Sequence, residues 1–107
     1  MHVKIVENGI SNTGVDITSL GLGGASLSAF LFDVDENVAI DTIQKAFQLG
    51  IRYFDTAPYY GFGRGERRYG RALAEFRRTD FKISTKIGRV LIPADLDAPD
   101  DGFVPHE

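Results

Sequence analysis

The sequence contains no cysteine among its 107 residues. This absence excludes disulfide bonds and metal sites built on thiolates, and it fits a reducing compartment. A basic excess is also missing, since 12 Lys and Arg stand against 15 Asp and Glu and give a net charge of -3 at pH 7. Neutralising a row of phosphates requires clustered positive charge, so we expect no nucleic-acid partner.

Long hydrophobic runs are lacking too. No apolar stretch approaches the roughly 18 residues that a membrane-spanning helix needs, so we expect no membrane partner. The first eight residues have neither the apolar core nor the small-residue cleavage site of a secretory signal peptide. These observations predict a cytoplasmic protein. The composition, 43% hydrophobic and 25% charged, is that of an ordinary globular protein.

The N-terminal quarter of the chain predicts two features. Residues 3–6, then a turn that begins with Asn8-Gly9, and then the alternating residues 15–17 predict a short hairpin with a long turn. Residues 20–25 read Leu-Gly-Leu-Gly-Gly-Ala and predict a buried strand that ends where the backbone approaches another group closely.

Two later segments have helical periodicity. Asp35 is placed to cap a helix over residues 36–49, and a second helix is predicted over residues 65–78. The apolar residues of each segment share one face: Ala39, Ile43, Ala46 and Phe47 in the first, and Tyr69, Ala72, Leu73 and Phe76 in the second. The arginines of the second segment are predicted to form a solvated face: Arg67, Arg68, Arg71, Arg77 and Arg78.

The helices alternate with apolar runs, which predicts parallel strands. The three buried strands centre on Gly21, Tyr53 and Ile83, about 30 residues apart, close to the roughly 31 residues per unit of an eight-unit barrel. A doubly wound sheet gives a similar period, but its dinucleotide fingerprint would need glycine where Ser26 stands. We therefore predict an α/β chain forming the N-terminal portion of a (β/α)8 TIM barrel, with about three of eight units in residues 1–107 and a loop over residues 90–107.

The ends of two strands carry polar residues. Asp55 ends the run that begins at Ile51, and Lys86 ends the next run. Because parallel neighbours finish at the same edge of a sheet, we expect both residues to lie beside Tyr59 and Tyr60. A tyrosine has a free pKa near 10 and is a slow acid at neutral pH unless a nearby cation favours its phenolate. Lys86, held by Asp55, is one such cation for Tyr60 as a general acid. The spacing is also compatible with a structural Asp–Lys bridge and two tyrosines that fill the mouth of the barrel.

Several motifs resemble the N-terminal third of an aldo-keto reductase, from about Leu20 to Arg89. They are Asp-Thr-Ala-Pro-Tyr-Tyr-Gly at 55–61, Gly-Arg-Gly-Glu at 63–66, Gly-Arg-Ala-Leu at 70–73 and Ser-Thr-Lys-Ile-Gly-Arg at 84–89. Within that family, residues 58–61 and 86–89 are most similar to bacterial aldose and pyridoxal dehydrogenase-like members.

The resemblance implies hydride transfer between NADP or NAD and a small carbonyl or sugar substrate, with a catalytic tetrad of Asp, Tyr, Lys and His. Asp55 matches the family Asp, Tyr60 the proton donor and Lys86 the lysine, whereas Tyr59 does not match the donor. Gly24 and Ala25 match the loop that borders the nicotinamide, and Asp55 is included among the predicted cofactor contacts. No metal is implied.

The fourth member of that tetrad has no match. The family His follows a fourth strand, which this chain lacks, so His106 is not assigned the role. Two function classes therefore stay open: an oxidoreductase completed by further residues, or a non-catalytic barrel fragment that associates with another chain through its bare strand edges. In either case we expect residues 1–107 alone to be inactive and to form no stable monomer.

Overall fold

The computed structural model describes residues 4–29 and 32–93. Its first elements are strands β1 (Glu7–Gly9) and β2 (Asp16–Thr18), which pair antiparallel as a hairpin. The hairpin is confirmed, but its turn begins later than predicted, since the first strand includes Asn8 and Gly9. Asn8 pairs with Ile17 inside the ladder, so the chain turns only after Gly9.

The remaining strands form one parallel sheet. Strands β3 (Leu22–Gly23), β4 (Tyr53–Asp55) and β5 (Lys82–Ser84) lie in that order. Gly23 is opposite Asp55, and Asp55 is opposite Ser84, so the last residues of the three strands form one row. This row brings the ends of distant segments together at the carboxyl edge of the sheet.

Helix α1 (Glu36–Gln48) connects β3 to β4 and begins as predicted. The carboxylate of Asp35 accepts a hydrogen bond from the backbone N–H of Asn37 at 2.8 Å, which satisfies one of the donors left unpaired at a helix start. The predicted stripe is buried at Ala39, Ile43 and Ala46. The helix therefore serves to cover the sheet.

Helix α2 (Arg64–Leu73) is shorter than predicted. After it, the chain folds back so that Phe76 stacks on Phe47 with ring centroids 3.7 Å apart, and a 3-10 turn follows at Arg78–Asp80. The prediction that Arg68 is solvated is wrong. Its side chain is buried, and its Nη1 donates a hydrogen bond to the carbonyl of Leu27 at 2.6 Å.

The two faces of the parallel sheet differ because successive strand residues point to opposite sides. Phe54 is fully buried on the helix side, where its ring meets the edges of Tyr69 and Phe81 at 5.7 and 6.4 Å between centroids. Tyr53 and Asp55 point to the other side. Among residues 4–29 and 32–93, no helix is long and apolar enough to cross a membrane.

Candidate active site

An ion pair lies at the carboxyl edge of the sheet. Asp55 is the last residue of β4, and Lys86 follows the end of β5 by two residues. The Nζ of Lys86 lies 2.8 Å from Oδ2 of Asp55 and also donates to the backbone carbonyl of Thr56 at 3.0 Å. Parallel strand pairing thus brings together two residues that are 31 positions apart.

The ion pair has electrostatic consequences for both partners. The hydrogen bond to Asp55 raises the pKa of Lys86; partial burial opposes this rise, while the interaction with Tyr60 adds to it. For Asp55, burial alone raises the carboxyl pKa, but the hydrogen bonds from Lys86 and Ser84 and the charge of Lys86 outweigh it, so the pKa lies below its usual value. At neutral pH the site therefore holds a carboxylate and an ammonium.

Tyr60 is held beside that ammonium by a tight turn. The N–H of Tyr60 donates to the carbonyl of Ala57 at 3.1 Å, and the N–H of Gly63 donates to the carbonyl of Pro58 at 2.9 Å. Gly61 has a φ of 62°, and a Cβ there would lie 2.3 Å from the carbonyl oxygen of Ser28, so only glycine fits. In this position the Tyr60 ring centroid is 5.0 Å from the Nζ of Lys86.

A cavity of about 300 Å³ opens at this site. Its wall consists of Ala57, Pro58, Tyr59, Tyr60, Lys86, Ile87 and Arg89. This volume is at the lower end of the range for small-molecule sites. The ammonium of Lys86 and the phenol of Tyr60 border the same space, so both can contact one bound group.

The two adjacent tyrosines have different surroundings. The guanidinium of Arg89 lies 4.7 Å above the ring of Tyr59, and the ring of Phe62 meets it edge-on at 5.4 Å between centroids. Tyr60 instead neighbours Lys86. The ring of Tyr60 is thus in contact with the ammonium of Lys86, whereas the ring of Tyr59 contacts Arg89 and Phe62. The assignment of Tyr60 as the proton donor stays a prediction.

The predicted cofactor loop begins at a close backbone approach. The N–H of Gly24 donates to the carbonyl of Asp55 at 2.8 Å, and a Cβ on Gly24 would lie 2.6 Å from Cε2 of Tyr69. Gly24 is buried and ties the end of β3 to the end of β4, while Ala25 after it is half-buried. A contact of Gly24, Ala25 or Asp55 with the nicotinamide stays a prediction.

Sequence reasoning missed two residues that support Asp55. The hydroxyl of Ser84 donates to Oδ1 of Asp55 at 2.6 Å, and the Tyr53 hydroxyl lies 2.8 Å from the same Ser84 oxygen. Strand alternation alone puts Tyr53 on the face of Asp55. Ser84 could be found only by knowing that the register places it opposite Asp55.

The sequence matches the aldo/keto reductase family over residues 19–102. The chain belongs to this family. The family assignment agrees with the resemblance seen in the motifs, and the Asp55–Lys86 pair and Tyr60 lie inside the matched range.

Individual members of the family are similar as well. The D-threo-aldose 1-dehydrogenase of a Pseudomonas species is 36% identical over 107 aligned positions, which cover 94% of this chain and 32% of that enzyme. The pyridoxal 4-dehydrogenase of Microbacterium luteolum is 40% identical over 92 positions, with 85% and 27% covered. The chain thus spans about a third or less of the length of these relatives.

A solved aldo-keto reductase of Bacillus halodurans in its holo form superposes with a TM-score of 0.72 at 30% identity, covering 83% of this chain and 28% of that protein. The predicted fold class is confirmed, since the chain forms a portion of an aldo-keto reductase barrel together with its N-terminal hairpin. His106 and residues 94–107 of the predicted loop lie outside the described residues.

Proposed function

We propose that the full-length protein is an NAD(P)-dependent oxidoreductase that interconverts a carbonyl and an alcohol, with Tyr60 as the general acid and base. The observation that carries this proposal is the grouping of Tyr60, Lys86 and Asp55. The ammonium of Lys86 lies 2.8 Å from the carboxylate and 5.0 Å from the tyrosine ring centroid, at a cavity that both cationic and phenolic side chains line.

These residues match the chemistry of carbonyl reduction. When hydride adds to a carbonyl carbon, the oxygen gains negative charge and must take up a proton. Tyr60 donates that proton, and the ammonium of Lys86 stabilises both the developing oxyanion and the phenolate that Tyr60 becomes. Asp55 keeps Lys86 in position and balances its charge. In the oxidative direction the phenolate of Tyr60 accepts the proton from the alcohol.

A nicotinamide nucleotide, which aldo-keto reductases use in general, is proposed to lie with its reacting end at this edge of the sheet. The bound nicotinamide would supply or accept the hydride. Gly24, Ala25 and Asp55 would border it, and the donors of Tyr60 and Lys86 would hold the carbonyl oxygen of the substrate in the 300 Å³ cavity. Both NAD and NADP are proposed as cofactors, and the cytoplasmic location stays a prediction.

Small aldehydes and sugars are the proposed substrates. The support comes from the names of two relatives, which are an aldose dehydrogenase and a pyridoxal dehydrogenase. The cavity agrees with this class, because its size suits a small molecule and its wall combines apolar Pro58 and Ile87 with polar Tyr60 and Lys86.

The test compares Tyr60→Phe with Tyr59→Phe in the full-length protein. Each change removes one hydroxyl and keeps the ring, so packing is matched. Loss of a general acid costs about 10²- to 10⁴-fold, so Tyr60→Phe should lose that much turnover with NADPH or NADH and a panel of aldehydes and aldoses. Tyr59→Phe should stay within a few-fold of the parent.

Cofactor binding is measured on the same samples by quenching of protein fluorescence. We expect Tyr60→Phe to bind the nucleotide nearly as well as the parent, since the phenol acts on the substrate oxygen. Equal turnover of the two variants would contradict the assignment of Tyr60.

A further inference from the structure

We infer that Ser84 and Tyr53 are positioning residues that fix the carboxylate of Asp55, and through it the ammonium of Lys86, in the reacting geometry. This inference rests on the proposed function of the same site. It adds two residues that are not part of the cavity wall, and it assigns each a defined hydrogen bond.

The direction of the hydrogen-bond chain follows from the charge of its last member. Asp55 is a carboxylate and can only accept. Ser84 must therefore use its single proton on Oδ1 of Asp55, at 2.6 Å. The Ser84 oxygen is then the acceptor for Tyr53, whose hydroxyl lies 2.8 Å away. The chain runs from Tyr53 through Ser84 to Asp55, and each donor faces one acceptor.

The two oxygens of Asp55 are thus held from different sides. Oδ1 accepts from Ser84, and Oδ2 accepts from Lys86 at 2.8 Å. A carboxylate held at one oxygen can rotate about its terminal torsion, which is broad. Because both oxygens have partners, the torsion is fixed and Lys86 receives a defined contact.

The backbone supports this chain. Ser84 lies opposite Asp55 in the β4–β5 register, and the N–H of Thr56 donates to the carbonyl of Ser84 at 2.9 Å. On the other side, Gly21 leaves room for the Tyr53 ring, since a Cβ there would lie 2.5 Å from Cδ1 of Tyr53. Packing therefore confines the ring of Tyr53, and sheet pairing confines Ser84.

The experiment uses the full-length protein and the variants Ser84→Ala, Ser84→Thr, Tyr53→Phe and Thr85→Val. Thr85 is the matched control, because it precedes Lys86 on the same segment and its hydroxyl bonds Glu66 at 2.9 Å instead of Asp55. The first readout is the pH dependence of the NMR chemical shift of the Asp55 carboxyl carbon. Its signal is assigned as the one that disappears in Asp55→Asn. The second is kcat and KM for the aldehyde that the parent turns over best.

We expect Ser84→Ala to move the Asp55 titration to higher pH and to lower kcat about 10-fold, since small misplacements of catalytic groups are costly. KM and the melting temperature should stay near those of the parent. Ser84→Thr should restore both readouts because it keeps the hydroxyl, Tyr53→Phe should give a smaller change in the same direction, and Thr85→Val should change neither.

An unchanged Asp55 titration in Ser84→Ala would overturn the inference, as would an equal shift in Thr85→Val. Failure of the proposed function is distinguishable, because the titration does not depend on turnover. If Tyr60→Phe keeps full activity while Ser84→Ala still shifts the Asp55 titration, the proposed catalytic role fails and the positioning of Asp55 stands. If Ser84→Ala prevents folding, Ser84→Thr and Tyr53→Phe decide through the same titration.

Discussion

The two ends of the parallel sheet carry carboxylates of nearly equal exposure and very different surroundings. Asp55 at the carboxyl edge has a side chain 35% exposed, and Asp80 at the amino edge has one 36% exposed. Asp80 pairs with Arg77, three residues away and 83% exposed. Asp55 is held by Ser84 of β5 and by Lys86, which follows that strand. The exposed fraction therefore does not distinguish the two carboxylates. They differ in their partners, which are local in sequence for Asp80 and distant in sequence for Asp55.

The cations at the two ends differ in the same way. Arg52 precedes β4, stacks its guanidinium 3.6 Å above the ring of Phe47 and donates to the carbonyls of Phe47 and Ile51. These partners are local, since Phe47 lies at the end of α1 and Ile51 immediately precedes Arg52. Lys86 instead contacts a carboxylate and borders a cavity with Tyr60. We expect Arg52 to stabilise the fold and Lys86 to take part in chemistry.

A large effect on turnover is expected from one of the two carboxylates. Asp55→Asn in the full-length protein removes the charge that holds Lys86, so turnover should fall about 10²-fold. Asp80→Asn breaks only an exposed pair, which is worth about 0 to 1 kcal/mol, and should leave turnover unchanged. Equal losses in the two variants, measured as kcat/KM with the same aldehyde, would remove the distinction between the two edges.

The pH dependence of Asp55→Asn sharpens the same comparison. The hydrogen bond to Asp55 raises the pKa of Lys86 in the folded protein, so its ammonium persists to higher pH. Without the carboxylate the pKa of Lys86 should fall, and the alkaline limb of kcat/KM should move to lower pH. A limb that stays in place in Asp55→Asn would show that the ammonium of Lys86 does not limit activity at high pH.

A smaller effect is expected from backbone packing at the carboxyl edge. Gly24→Ala would bring a Cβ to 2.6 Å from Cε2 of Tyr69 and 2.9 Å from the carbonyl oxygen of Asp55. We expect the free energy of unfolding to fall by about 1 to 3 kcal/mol, the usual cost of overpacking. Gly70→Ala is the control, since no atom lies within 4 Å of its Cβ and alanine favours a helix by up to about 1 kcal/mol. Urea unfolding that ranks the two variants equally would contradict the packing argument.

Periodicity and strand order made most of the fold predictable. The stripe of α1 and the cap at Asp35 follow from local physics, which the sequence displays directly. The position of the hairpin turn did not follow, because the ladder places Asn8 opposite Ile17 and this pairing overrides the local preference of Asn-Gly for a turn. The burial of Arg68 does not follow from the local sequence, because its acceptor, the carbonyl of Leu27, is 41 positions away.

The candidate site was predictable to a similar degree. Parallel strands end at one edge, so the proximity of Asp55 and Lys86 followed from their positions in the sequence. The separate surroundings of Tyr59 and Tyr60 depend on the turn at Gly61, where the carbonyl oxygen of the distant Ser28 leaves no room for a Cβ. The contact of Ser84 with Asp55 could not be predicted, because a serine in a strand does not indicate its partner until the register is known.

The most direct test of the account compares Lys86→Met with Arg52→Met in the full-length protein, with kcat/KM and the melting temperature measured on the same preparations. Methionine keeps an unbranched side chain and removes the charge in both cases. We expect one variant to lose activity and the other to lose stability. Lys86→Met should lose about 10²-fold in kcat/KM, as expected for removing a group that stabilises developing charge, and should melt near the parent. Arg52→Met should melt lower and keep its kcat/KM within a few-fold. A Lys86→Met protein with parental kcat/KM, or an Arg52→Met protein that loses as much activity without melting lower, would contradict the claim that the chemistry lies at the carboxyl edge.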